Sequence, residues 1–318
     1  MNRILVVRGG AIGDFILTLP ALKALRDARP HAHIEILGYK HIAGLAENRF
    51  YAQAIRSIEY GPLSRFFAKN SELPAELADY FASFDLIISY LYDLDRIFEN
   101  NLRRCGVENL LCGPSKIVEK AGHAARQLAR PVEEMGIRVA DLTEKVFFSA
   151  EDRQFASDFL RLLQQPIIVI HPGSGSKEKN WPLENWIALF SERHAGKRGS
   201  LIVISGEADK AETEQLEREW TDRDVRFAKN LPLLQLAAVL ERAIFIGHDS
   251  GISHLAAAAG ANCILLFGST NPDVWAPKNK NVRVLNAQSG RLSDLELGSV
   301  QAAITTVLSD SSAASLVF

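Results

Sequence analysis

Cysteine is scarce in this chain: three in 318 residues, Cys105, Cys112 and Cys263. They form no CxxC pair and belong to no His/Cys cluster at zinc-ligand spacing, which excludes a disulfide framework and a thiolate metal site. A sparse, odd count fits a reducing compartment. An excess of charge of either sign is also lacking, with 36 Lys and Arg against 38 Asp and Glu. That balance excludes the basic footprint of a nucleic-acid binder. No apolar run has the length of a membrane span; the longest, residues 252–267, contains His254, Gly260 and Asn262. Near the N-terminus, Arg8, Gly9, Gly10, Gly13 and Asp14 break the apolar stretch before it reaches the length of a secretory h-region. The expectation is a soluble, cytoplasmic protein. Peripheral contact with the inner membrane stays open, because it leaves little trace in composition.

What is present is an alternation of short β-branched runs with segments of helical period. Residues 4–7 read as a buried strand, and Phe15, Leu19, Leu22 and Leu25 lie on one face of a following helix. Residues 34–37 and 86–89 read as further strands. The pattern restarts at Pro166, with strands at 167–170, 201–205, 225–227, 243–247 and 263–267. Helices are expected from Pro182 to about His194, then at 209–220, 233–240, 250–259 and 295–308, and the tail from 309 is expected to fray. Strand–helix alternation predicts parallel sheets built from βαβ units. Two such halves, with a boundary near 145–165, would bind ligands at the carboxyl ends of their strands.

Three strand–helix turns carry candidate chemistry. Arg8-Gly9-Gly10-Ala11-Ile12-Gly13-Asp14 follows the first strand. Its glycines let backbone N–H groups approach a ligand at a helix N-terminus. It departs from G-x-G-x-x-G at Arg8, and Gly38-Tyr39 occupies the place of a ribose-binding acid, so no NAD site is expected. Asp14 could accept a proton from a substrate hydroxyl; on spacing alone, an acid that simply complements the helix dipole is the better reading. The second turn, residues 171–182, offers Ser174, Ser176, Lys177 and Lys179 to a phosphate, or is an ordinary solvated loop. The third, His248-Asp249-Ser250-Gly251, opens a helix of small residues. Asp249 and Ser250 are good N-caps, and the same N-terminus could meet a diphosphate. His254, one turn in, is by type more often a hydrogen-bonded structural group. Glu207, after the strand at 201–205, could take the hydroxyls of a ribose.

Taken in order, these residues resemble glycosyltransferase family 9, the ADP-heptose:lipopolysaccharide heptosyltransferases and relatives. The matching pieces are Gly13-Asp14 with Thr18-Leu19-Pro20-Ala21-Leu22, then Lys179-Asn180-Trp181-Pro182. They continue with Asp249-Ser250-Gly251-x-x-His254-x-Ala256-Ala257-Ala258 and Phe267-Gly268-x-Thr270-x-Pro272. Asn180 stands where the family often has Arg or His, and residues 60–120 diverge. The resemblance implies a GT-B type α/β fold with two Rossmann-like domains facing each other across a cleft. The acceptor-binding domain would span 1–155 and the nucleotide-sugar domain 156–318, the last helix packing back on the first domain. It implies inverting transfer without cofactor or catalytic metal.

By the same resemblance, Asp14 is the general base and Lys179 holds the donor diphosphate, with Ser174 and Ser176 beside it. Glu207 binds the ribose, Asp249 contacts the donor sugar, and Ser250, Gly251 and His254 form the diphosphate end. The partners implied are a nucleotide sugar, ADP-heptose first, and a lipid-linked saccharide acceptor; no nucleic acid is expected. Gly10, Gly13, Lys116, Arg126 and Arg130 are the acceptor-side candidates, although a solvated charged face explains the last three as well. Another nucleotide sugar, a protein acceptor, a non-catalytic nucleotide-sugar module and a nucleotide-sugar epimerase are the competing readings.

Overall fold

Ile4, Leu5, Val6 and Val7 are all wholly buried. Four consecutive buried side chains require cover on both faces of a strand, the condition met by a parallel sheet between layers of helices. The computed structural model describes residues 2–191, 199–206, 209–221 and 225–314. They form two compact units, Met1–Leu142 and Thr143–Phe318.

The first unit contains β1 (Arg3–Arg8), α1 (Ile12–Ala28), β2 (His33–Gly38), α2 (Lys40–Ala43) and β3 (Ala54–Ser57). It continues with α3 (Ala75–Ala82), β4 (Leu86–Ser89), α4 (Ile97–Arg104), β5 (Leu110–Cys112) and α5 (Ala124–Glu134). Its sheet runs β3-β2-β1-β4-β5, with every pair parallel. Helix α1 packs on α5. An aromatic cluster of Phe66, Phe81 and Phe98 fills the core with Leu5, Leu63 and Leu77.

The second unit opens with α6 (Ala150–Leu160), capped by Ser149, whose hydroxyl accepts the Asp152 N–H at 3.2 Å while Asp152 accepts the Ser149 N–H at 2.8 Å. A boundary after residue 155 falls inside this helix. There follow β6 (Ile167–His171), α7 (Leu183–Leu189), β7 (Ser200–Ser205), α8 (Lys210–Glu219), β8 (Val225–Lys229) and α9 (Leu233–Leu240). The unit ends with β9 (Ile244–His248), α10 (Gly251–Ala259), β10 (Asn262–Phe267), α11 (Pro272–Trp275), β11 (Val282–Asn286) and α12 (Leu297–Ala314). The sheet runs β11-β10-β9-β6-β7-β8, also with parallel pairs.

In both sheets the chain winds outward one way, then returns to the middle and winds the other way. The order reverses between β1 and β4 in the first unit and between β6 and β9 in the second. Loops leaving the carboxyl ends of such a pair diverge and leave a crevice, the usual ligand position in open α/β sheets. The turns after β1, β6 and β9 are the three that the sequence marks.

Several elements differ from expectation. Strands β3 and β11 are sheet edges whose mixed residues form no apolar run, and the apolar edge strand β5 has only three residues. Helix α7 ends at Leu189, and residues 192–194, the end of the expected helix, lie outside the described residues. Helix α12 continues to Ala314, so the chain is helical past residue 309, where fraying is expected.

Gly38 shows why β2 ends without an acid: a Cβ there would stand 2.6 Å from the Arg8 carbonyl oxygen. Gly38→Ala is expected to cost about 1–3 kcal/mol through the forced separation of β1 and β2, read as a lower urea midpoint at unchanged slope. A variant as stable as the parent contradicts that packing.

Candidate active site

In the first unit the site is built around a buried cation. Arg8, at the end of β1, is 7 % exposed. Its Nη2 donates to the Asp14 carbonyl oxygen at 2.9 Å and its Nε to Thr18 Oγ1 at 3.0 Å, so it clamps the first turns of α1 to the strand. Its guanidinium lies 5.7 Å from the centre of the Tyr90 ring. Burial lowers its pKa, and Asp14 and Tyr90 pull the other way; an arginine with such partners remains charged.

The Asp14 carboxylate stands over the turn. Oδ2 accepts the Ala11 N–H at 3.0 Å, and Oδ1 is 3.5 Å from Arg8 Nη2. The side chain is 41 % exposed. Gly10, at φ +97°, supplies the bend, and a Cβ on it would meet Asp14 Oδ2 at 2.8 Å. Gly13 lies in the first turn of α1. The turn thus presents one carboxylate, fixed by a backbone N–H and an arginine, to solvent at a switch point. Such a group can take a proton from a hydroxyl.

In the second unit the β6 and β9 turns meet. Lys179 Nζ lies 2.7 Å from Asp249 Oδ2, which also accepts from Thr270 Oγ1 at 2.8 Å. Ser174 Oγ donates within its own loop, to Asn180 Oδ1 at 2.6 Å and the Ser176 carbonyl at 2.9 Å. Ser176 is exposed, and Gly175, at φ +74°, turns the loop between them. Ser250 is the N-cap of α10 and accepts the Ser253 N–H at 3.3 Å; Gly251 is the first helical residue. The β6 turn, with its lysines and serines, therefore meets the β9 turn that opens α10, an arrangement that can bind a diphosphate.

Buried histidines hold these turns in place, and the sequence reading did not single most of them out. His248 Nε2 accepts the Trp181 N–H at 2.9 Å and Nδ1 is 3.4 Å from the Gly173 carbonyl, tying the β6 loop to the end of β9. That pattern assigns the proton to Nδ1 and leaves the ring neutral. Burial first, and the nearby His171 second, lower its pKa to about 3. His171 pairs with Asp209 at 2.8 Å, and Gly173 lies so close to Asp209 that a Cβ there would meet its Oδ1 at 1.8 Å. Burial would raise the Asp209 pKa, but His171 and the Gly206 N–H hold it below its usual value. The one readable signal was that both histidines end apolar strands.

His254 is buried, and its Nδ1 lies 2.8 and 3.1 Å from the two carboxylate oxygens of Glu144. It anchors the segment that opens the second unit to α10, the structural role a helical histidine more often has. Glu207 lies outside the described residues. On the acceptor side, Lys116 Nζ sits 4.9 Å from the Tyr92 ring centre. Arg126 and Arg130 share α5, but Arg126 Nη1 is taken by Glu133 at 2.7 Å and the Val139 carbonyl at 2.6 Å.

The model of glycosyltransferase family 9 (heptosyltransferase) matches residues 114–303, more than half of the chain. Lipopolysaccharide heptosyltransferase 3 of Escherichia coli is 24 % identical over 298 residues, covering 85 % of this chain and 84 % of that protein. A family 9 glycosyl transferase structure from Veillonella parvula superposes with a TM-score of 0.78 at 20 % identity over 97 % of both chains. The E. coli ADP-heptose lps heptosyltransferase II gives 0.78 at 16 % identity, over 98 % of this chain and 100 % of that one. At these identities the structures share the fold, the α/β architecture of the GT-B glycosyltransferases.

The neutral His248 carries a pH signature. Its folded pKa of about 3 lies below the ordinary 6.5, so the unfolded chain takes up a proton that the folded chain refuses. The contribution is complete above pH 6.5 and is lost as pH falls toward 3. The stability advantage of the parent over His248→Gln should therefore shrink below pH 6.5 by up to about 1.4 kcal/mol per pH unit. Denaturant melts between pH 7 and 4 that show a constant difference would contradict a buried neutral ring.

Proposed function

Because the chain belongs to glycosyltransferase family 9, we propose that it transfers a heptosyl group, with inversion, from ADP-heptose to a hydroxyl of a lipopolysaccharide core or related glycan. The observation that carries the reading is the convergence of Lys179, Asp249 and the α10 N-terminus at the switch point of the second sheet. It is supported by Asp14, exposed at the switch point of the first.

In this reading the diphosphate of the donor lies against Lys179, Ser174, Ser176 and the N–H groups at Ser250 and Gly251, and Asp249 hydrogen-bonds the donor sugar. Lys179 and Asp249 neutralise each other; an anionic donor takes over part of the ammonium and frees carboxylate lone pairs for sugar hydroxyls. Glu207 takes the ribose. An acceptor hydroxyl gives its proton to Asp14 as its oxygen attacks the anomeric carbon from the face opposite the nucleotide. The bond from that carbon to the diphosphate oxygen breaks, and ADP leaves with the electron pair.

Charge developing on the leaving diphosphate is met by the ammonium and the helix end, the task a divalent ion performs elsewhere. No metal is needed, and the reaction runs in the cytoplasm, at the inner face of the membrane that holds a lipid-linked acceptor. Among the described residues no helix is long and apolar enough to cross a membrane.

Asp14→Asn should retain ADP binding and lose turnover by about 10²–10⁴-fold, the usual contribution of a general base. Full turnover in that variant would remove Asp14 from the role. Activity should persist in EDTA, and a loss restored by magnesium would contradict the metal-free scheme. In thermal shift, ADP and ADP-heptose should stabilise the protein while UDP and GDP do not, since only ligands of the folded state raise its stability.

A further inference from the structure

Asp249 is held at the second unit's switch point through only one of its two oxygens. Oδ2 accepts from Lys179 Nζ at 2.7 Å and from Thr270 Oγ1 at 2.8 Å. Among the described residues no hydrogen bond reaches Oδ1, which keeps its lone pairs for donors such as hydroxyls. The backbone of Asp249 is fixed on both sides, by His248 at the end of β9 and by Ser250, the N-cap of α10. The remaining freedom is rotation about the Cβ–Cγ bond, which exchanges the two oxygens.

The two holds on Oδ2 differ in kind. Lys179 brings a point charge on a flexible stem, and its ammonium is the group that a donor diphosphate draws on. Thr270 is β-branched, with a stiff χ1, and its hydroxyl carries no charge for a diphosphate to compete for. When the ammonium is shared, the Thr270 bond is the one that still keeps Oδ2 in place.

The turn that bears Thr270 does not need this bond for its own shape. On one side the Phe267 carbonyl accepts the Ala287 N–H at 2.8 Å, and a Cβ on Gly268 would meet Leu292 Cγ at 3.0 Å. On the other, the Asn271 side chain accepts the Asp273 N–H at 2.9 Å, and its carbonyl accepts the Val274 and Trp275 N–H groups at 3.1 Å. Backbone bonds and close packing seat the turn, and the Thr270 hydroxyl is spent on Asp249.

We infer that Thr270 is a positioning residue that selects which oxygen Asp249 presents to the donor sugar, retaining Oδ2 and leaving Oδ1 to accept sugar hydroxyls. The inference rests on the transferase reading in taking the ligand of Oδ1 for the donor sugar. The test is calorimetric titration of ADP and of ADP-heptose into the parent, Thr270→Val and Thr270→Ser, each melted alongside. Valine keeps the shape of the side chain and removes the donor; serine keeps the donor. Thr270→Ala removes the same donor and serves where the valine variant melts below the parent. The variant without the hydroxyl should bind ADP-heptose about three- to tenfold more weakly, the effect of one hydrogen bond, and ADP as the parent does. Thr270→Ser should bind both ligands as the parent does. Equal losses for the two ligands would mark a merely structural role and overturn the inference. So would undiminished ADP-heptose binding without the hydroxyl, or a serine variant as impaired as the valine one. A parent that binds neither ligand strikes the transferase reading and takes this inference with it, whereas a parent that binds both leaves the variants to decide the inference alone.

Discussion

The contact between the Lys179 ammonium and the Asp249 carboxylate, 2.7 Å apart, sets the shape of the second unit's site. It joins two turns that are far apart in sequence and brought together only by the reversal of strand order between β6 and β9. Thr270, on the turn after β10, donates to the same carboxylate oxygen. Three consecutive strand ends thereby converge on one oxygen atom. The pair is partly exposed, and such pairs add little to stability. Its value is geometric: it holds a cation beside a helix N-terminus and a carboxylate beside the cation, ready for an anionic ligand that carries hydroxyls.

Beneath it, neutral and ionic histidine contacts do the structural work. His248 spans from the end of β9 to the backbone of Trp181 and Gly173. His171, at the end of β6, pairs with Asp209, the N-cap residue of α8, against the same loop. Trp181 and Trp186 pack edge to face at 5.3 Å, and Trp186 meets His248 at 5.6 Å. His248 and the Asp209 side of His171 are hydrogen-bonded, as buried polar groups usually are, while His171 Nδ1 and Trp186 Nε1 are buried without a partner among the described residues. The first unit follows the same plan with different chemistry: Arg8 replaces the imidazoles as the buried brace, and Asp14 is the group held out to solvent.

Much of this was legible in the sequence because the central strands of a parallel sheet announce themselves. β1, β4, β6, β9 and β10 are short apolar runs ending in glycine, histidine or serine, and the turns after β1, β6 and β9 carried the candidate residues. The edge strands β3, β5 and β11 were not legible, whereas the edge strand β8 was read at 225–227. β3 and β11 are covered on one side only and mix Arg56, Ser57, Arg283 and Asn286 with aliphatic residues, so neither period nor composition sets them apart from loops. Partnerships over long separations were equally hidden. Glu144 and His254 are 110 residues apart, and nothing local to either names the other. Arg8 was read only as a departure from a glycine pattern, whereas its burial makes it the clamp on Asp14.

The central claim is that the second unit's switch point binds a nucleoside diphosphate through Lys179. Calorimetric titration of ADP into the parent and into Lys179→Ala addresses it directly. Loss of a charge-assisted hydrogen bond worth about 1.5–3 kcal/mol predicts binding weaker by roughly ten- to a hundredfold in a variant that melts at the parent's temperature. Equal affinity in the two proteins would contradict the account.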